Sequence, residues 1–164
     1  MRILMIAAAF TLMSASIASP AWAQGQVAGV AEVQAVTTVV SEFGRKMRSV
    51  AVLAPKPIAA AAMDGAYANL VAHELLAAWK SNPETAPGKR TSSPSPERID
   101  ITSVKPAGRD AYVVSGKVIL LTAQERRSGG VFQANPVTLT VARQKGKWVI
   151  SLSDFRRESC KLLI

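Results

Sequence analysis

The apolar residues of this chain change period once, and the change is abrupt. Up to residue 79 they recur at steps of three and four, and from residue 99 they alternate with polar ones. The first pattern lines one stripe of a helix and the second lines one face of a strand. Between them, residues 81–98 hold four Pro, four Ser and one Gly with hardly an apolar side chain. That composition reads as a loop, and a loop so long inside a compact domain is usually functional. Helices first and strands afterwards make an α+β domain, with N-terminal helices packed on one face of an antiparallel sheet.

The helical half divides into three. Val27, Val30, Val33, Val36, Val40, Phe43, Met47, Val50 and Leu53 predict one amphipathic helix over residues 27–53, ended by Pro55 and Pro57. Gly44 falls on or beside its apolar face, where a missing side chain admits another backbone. A second helix is expected over residues 58–70, with Met63, Tyr67 and Leu70 on one side. A third carries Leu75, Leu76 and Trp79 and stops at Asn82-Pro83.

About four strands follow. Ile99, Ile101 and Val104 open the first. Residues 112–122 form a long second one, with Gly116 placed for a bulge or bend. Residues 126–130 read as a turn, after which Val131 and Phe132 resume pairing. Val137, Leu139 and Val141 alternate cleanly, Lys145-Gly146 makes a tight hairpin turn, and Trp148, Ile150 and Leu152 return. Short connections imply an antiparallel meander, curved at Gly116.

The ends of the chain carry other signals. Arg2, an apolar stretch over residues 3–17 and the small-x-small step Ala21-Trp22-Ala23 read as a secretory signal peptide, residues 1–23. The domain is then expected over residues 24–155, with a short basic tail over residues 156–164. No later apolar run approaches the roughly 18 residues of a membrane span. The expected compartment is the periplasm or the outside of the cell. The lone Cys160 excludes an intramolecular disulfide framework. A net charge of +9 points less to nucleic acid, which an exported protein rarely meets, than to an anionic envelope polymer. The Lys and Arg residues are scattered, and a solvated basic surface explains them equally.

Order and motifs together resemble the NTF2-like (cystatin-like) superfamily: a long first helix, two shorter ones, then a bent sheet closing on Gly146-Lys147-Trp148-Val149-Ile150. A narrower resemblance, to small exported bacterial proteins of unknown role, is carried by the run from Ala86 to Ile101, Phe43-Gly44, Leu53-Ala54-Pro55 and Leu75-Leu76-Ala77-Ala78-Trp79. That group carries an aromatic residue where this chain has Ser95. The resemblance spans roughly residues 33–155 and implies a cone of helices on a curved sheet. It implies no single activity, since such cones host enzymes, secretion-system parts and binding modules.

Site candidates follow from residue chemistry. Superfamily enzymes use an acid or His inside the cone, and Asp64, His73, Glu74 and Asp100 are the candidates here. One His and one Cys exclude a three-His zinc site, and no metal or cofactor is implied. There is no nucleophile elbow and no phosphate loop. Asp64 and Tyr67, three apart on a helix, are pocket candidates. Arg90, Thr91, Ser92 and Arg98 would either grip an anion or tie the proline-rich loop to the sheet. Phe43, Tyr67, Trp79 and Trp148 are expected to share the core. The leading reading is an exported, non-enzymatic binding or accessory protein for a small molecule or envelope protein. A small isomerase or hydrolase and a structural subunit of an envelope complex stay open beside it. N-terminal sequencing of the exported protein is expected to begin at Gln24, and retention of Met1 would overturn the leader assignment.

Overall fold

The computed structural model describes residues 21–155, with side chains from Gly29 onward. Most of the expected leader, the basic tail and Cys160 lie outside the described residues. Three helices precede a four-stranded antiparallel sheet of β1 (Ser95–Pro106), β2 (Ala111–Leu121), β3 (Gln133–Gln144) and β4 (Lys147–Phe155), hydrogen-bonded in that order. This is the α+β arrangement implied by the NTF2-like resemblance.

Helix α1 (Ala21–Lys46) buries Val36, Val40 and Phe43, and a following 3₁₀ turn buries Met47. It ends before the Leu53 that the apolar spacing predicts. At Val50 the backbone turns extended, and Val50 and Val52 are buried while Leu53 is exposed. Here the pattern of period two overrides the pattern of period 3.6. β-Branched Val is a weak helix former, and residues 50–52 find a better partner in Lys89. Its N–H donates to the Val50 carbonyl at 2.7 Å, and its own carbonyl accepts from Val52 N–H at 3.1 Å. Pro55 and Pro57 then stand at the start of α2 (Lys56–Tyr67), where proline's fixed φ suits a first turn.

Helix α2 buries Ala59, Met63, Ala66 and Tyr67, and α3 (His73–Ser81) buries Leu76 and Trp79. The segment joining them runs beside β4. Ala72 N–H donates to the Ile150 carbonyl at 2.9 Å and Ile150 N–H to the Leu70 carbonyl at 2.8 Å, which covers part of that sheet edge.

Strand β1 (Ser95–Pro106) begins four residues before the expected Ile99. Pro96 pairs with Leu120 on an edge strand, where a missing N–H is tolerated. Between β2 (Ala111–Leu121) and β3 (Gln133–Gln144) the expected turn is a short helix, α4 (Ala123–Ser128). Thr122 and Glu125 cap it reciprocally, and Gly129 at φ 78° ends it. The β3–β4 hairpin turns through Lys145 and Gly146, both at positive φ, into β4 (Lys147–Phe155).

Bulges fall on the two edge strands: Glu97 and Thr102 in β1, Ser151 in β4. A bulge bends its strand and increases twist, and α1 touches both edges, so the sheet curls round it. Gly116 is not itself the bulge. It lies opposite Ile101, one step from the bulge at Thr102, and a Cβ there would sit 2.7 Å from the Asp100 carbonyl oxygen.

Gly44 acts as its position on α1 predicts. A Cβ would meet the Ile99 backbone nitrogen at 2.6 Å, so its absence lets α1 lie against β1. Gly44→Ala is expected to lose about 1–3 kcal/mol through overpacking. Gly29→Ala, in the same helix with nothing within 4 Å of the added carbon, is expected to gain about 0.5–1 kcal/mol. Thermal unfolding of both variants checks the pair, and equal shifts would show that α1 does not press on the sheet.

A candidate ligand pocket behind the proline-rich segment

The proline-rich segment becomes a wall because its backbone has partners. Besides the bridge at Lys89, the Tyr67 hydroxyl donates to the Pro87 carbonyl at 2.7 Å. Burial pushes the Tyr67 phenol's pKa up, so it remains a protonated donor. Between these two ties sits Gly88, where a Cβ would come 2.6 Å from the Val50 carbonyl oxygen. Only a glycine permits that approach. Within the segment, Arg90 donates to the Glu84 carbonyl, Thr85 to the Asn82 carbonyl and Thr91 to the Pro94 carbonyl.

The start of β1 is fixed separately. Glu97, displaced from the ladder by its bulge, accepts from Arg48 and from Arg126, each at 2.9 Å. Arg126 also donates to the Ser95 hydroxyl, which is buried. Ser95 is thus a small buried hydroxyl that partners an arginine of α4.

Behind the segment lies a cavity of about 670 Å³. Met47, Leu75 and Trp79 form its helical side, and Val118, Leu120 and Phe155 its sheet side. Trp79 belongs to a cluster with Phe43 and Tyr67, the ring centroids 5.0–6.1 Å apart. One aromatic group therefore backs the cavity and, through the Tyr67 hydroxyl, holds its outer wall. The Ser151 bulge supplies another part. It breaks the alternation of β4, turning Leu152 out to solvent and pairing Ser153 and Phe155 with the buried Leu139 and Val137. Ser153, Asp154 and Phe155 all line the cavity.

The residues singled out from sequence divide between several places. Arg90 and Thr91 line the cavity; Ser92 is exposed and does not. Arg98 corrects the expectation of a loop tie: it pairs with Asp100 on its own strand at 2.7 Å, both side chains about half exposed. Asp64 and Tyr67 share no pocket. Tyr67 is fully buried, whereas Asp64 pairs with Lys80 at 2.6 Å beside a smaller cavity of about 320 Å³ that includes His73. Glu74 is exposed in the first turn of α3. Trp148 packs half-buried against the same core but away from the other three rings, edge-on to the buried Tyr112 at 5.4 Å and under the Arg143 guanidinium at 4.6 Å. Arg143 and Tyr112 both reach Glu32, joining α1 to the far end of the sheet.

Asn135, Ser153 and Phe155 escape the sequence reading. The step Ile150-Ser151-Leu152 alternates perfectly on paper, which hides the bulge that turns the end of β4 over. Gln133 and Asn135 did leave a signal: two amides on the face that continues as Val137, Leu139 and Val141. Among the described residues, no helix is long and apolar enough to cross a membrane, and no three His, Cys, Asp or Glu side chains are grouped to hold a metal ion.

No family model matches the chain, and no curated protein matches it. Among solved structures it is similar to a crystal structure of an NTF-2 like protein of unknown function from Shewanella oneidensis MR-1. The two are 18% identical, with a TM-score of 0.36 and coverage of 80% of this chain and 98% of that one.

Tyr67→Phe leaves the Pro87 carbonyl without its donor, at an expected cost of about 1–3 kcal/mol. Limited proteolysis should then cut residues 82–94 faster than in wild type. Arg98→Ala, which removes an exposed pair worth about 0–1 kcal/mol, should leave the cleavage rate unchanged. The opposite ranking of the two variants would return the anchoring role to Arg98.

Proposed function

We propose that this is an exported, non-enzymatic protein that binds a small, largely apolar molecule in the cavity behind the proline-rich segment. The observation that carries this reading is the cavity itself. Its size falls in the range of about 300–1,000 Å³ usual for small-molecule sites, and its walls are mainly aliphatic, aromatic and proline side chains. The charged residues in its lining are Arg90 and Asp154, and no His, Cys or Glu stands there. General acid–base chemistry needs a titratable group within hydrogen-bond reach of the reacting atom. Of the four sequence candidates for such work, His73 and Asp64 border the other cavity, and Glu74 and Asp100 are exposed outside this lining. That leaves Asp154 as the lining's single carboxylate. This distribution favours binding over catalysis. Export rests on the leader-like sequence of residues 1–23.

The neutral dye Nile red tests the reading. Wild-type protein is expected to bind it saturably at one site, with a rise in fluorescence. Leu120→Trp fills the cavity from β2 and should weaken binding at least about tenfold, a difference of roughly 1.4 kcal/mol, while circular dichroism stays native. Undiminished binding in that variant, or none in wild type, would contradict the proposal.

A further inference from the structure

We infer that Asn135 makes this pocket selective for uncharged ligands that carry a hydrogen-bond acceptor such as a ketone or ester carbonyl, and that Gln133 sets the orientation that does so. The inference rests on the binding role proposed for the cavity. Asn135 lines it from β3, opposite Val118 of β2 and one inward-facing step from the pair Val137 and Phe155. It is thus a polar side chain set in an apolar part of the wall, alongside Val118, Leu120 and Phe155.

A side-chain amide offers one oxygen that accepts and one nitrogen that donates two hydrogens. Here the oxygen is occupied: Gln133 Nε2 donates to Asn135 Oδ1 at 2.7 Å. The two residues are two apart on one strand and therefore share a face. With Oδ1 held by Gln133, Nδ2 is the group left to meet a ligand in the cavity that Asn135 lines. A donor in apolar surroundings discriminates strongly, because a ligand without an acceptor removes its water and gives nothing back.

Charge points the same way. The two formal charges in the lining, Arg90 and Asp154, are of opposite sign. The lining therefore carries no net formal charge to reward an anion or a cation, and burying an uncompensated charge is costly. A neutral apolar body with a carbonyl oxygen matches both the walls and the single oriented donor.

Benzophenone and diphenylmethane differ by a carbonyl in place of a methylene at nearly equal shape, and displacement of Nile red reports the affinity of each. Wild type is expected to prefer benzophenone by about tenfold, a difference of about 1.4 kcal/mol. Asn135→Leu should abolish the preference and leave diphenylmethane bound at least as tightly. Gln133→Glu places an acceptor where the donor stood. It should turn the Asn135 amide over, bring Oδ1 to the pocket and remove the preference while Asn135 is still present. Native circular dichroism confirms that each variant folds. Equal affinities in wild type, displacement by neither compound, or an unchanged preference in Asn135→Leu would overturn the inference. The pocket would survive those results if Nile red binding still fell in Leu120→Trp; if that binding did not fall, the binding role would fail as well.

Discussion

The larger of the two cavities described above depends on where the backbone around Gly88 is held. Residues 82–94 contribute little apolar surface beyond the buried Ala86 and Pro87, so hydrophobic burial alone holds them weakly. They are kept there by backbone hydrogen bonds to residues 50–52, by the Tyr67 hydroxyl, and by the absence of a side chain at Gly88. Net, each such bond is worth only about 0.5–1.5 kcal/mol. Their effect is larger than that figure because they are adjacent in sequence and restrain one short stretch together. Tyr67 is the common element. Its ring packs with Phe43 and Trp79, and its hydroxyl leaves that cluster to reach the wall. Core packing and pocket shape are thereby coupled through a single side chain.

The sheet supplies the opposite side by departing from regularity. Three bulges on the edge strands do three jobs. The one at Glu97 pushes a carboxylate out of the ladder, where two arginines from different elements meet it. The one at Thr102 lies beside the close approach of Gly116 to β1. The one at Ser151 reverses the end of β4, exposing Leu152 and bringing Ser153 and Phe155 to the cavity. A regular sheet of the same sequence would put Leu152 inside and leave the cavity without its Phe155 wall.

Much of the architecture is legible in the chain's periodicities, because helix and strand patterns are long and separated by an unmistakable polar stretch. Gly44 was also readable as a close approach, whereas Gly116, readable as a bulge or bend, is instead a close approach to β1 beside the bulge at Thr102. The misreadings share one cause, which is competition between local pattern and a distant partner. Val50 continues the helical spacing, but Lys89, far along the chain, offers its backbone an extended pairing. Ser151 continues an alternation that the register with β3 breaks. The pocket was less legible still. Arg90 and Thr91 were visible as polar residues among prolines, whereas Asn135 and Ser153 acquire meaning only from the face on which the register places them. Arg98 looked like a tie because the expected strand began at Ile99 and left Arg98 in the loop, whereas β1 begins at Ser95 and puts Arg98 on one face with Asp100.

The central claim is that residues 82–94 form a fixed wall and not a loosely tethered loop. Amide hydrogen exchange at Lys89 and Val52 tests it most directly, since both N–H groups are committed to the bridge between the segment and the helical layer. The account predicts protection at these two amides comparable to that of Val114 and Val141 in the middle of the sheet, with local opening as costly as opening of the core. Exchange at Lys89 and Val52 near the rate of an unstructured peptide would contradict it, and with it the cavity that the segment encloses.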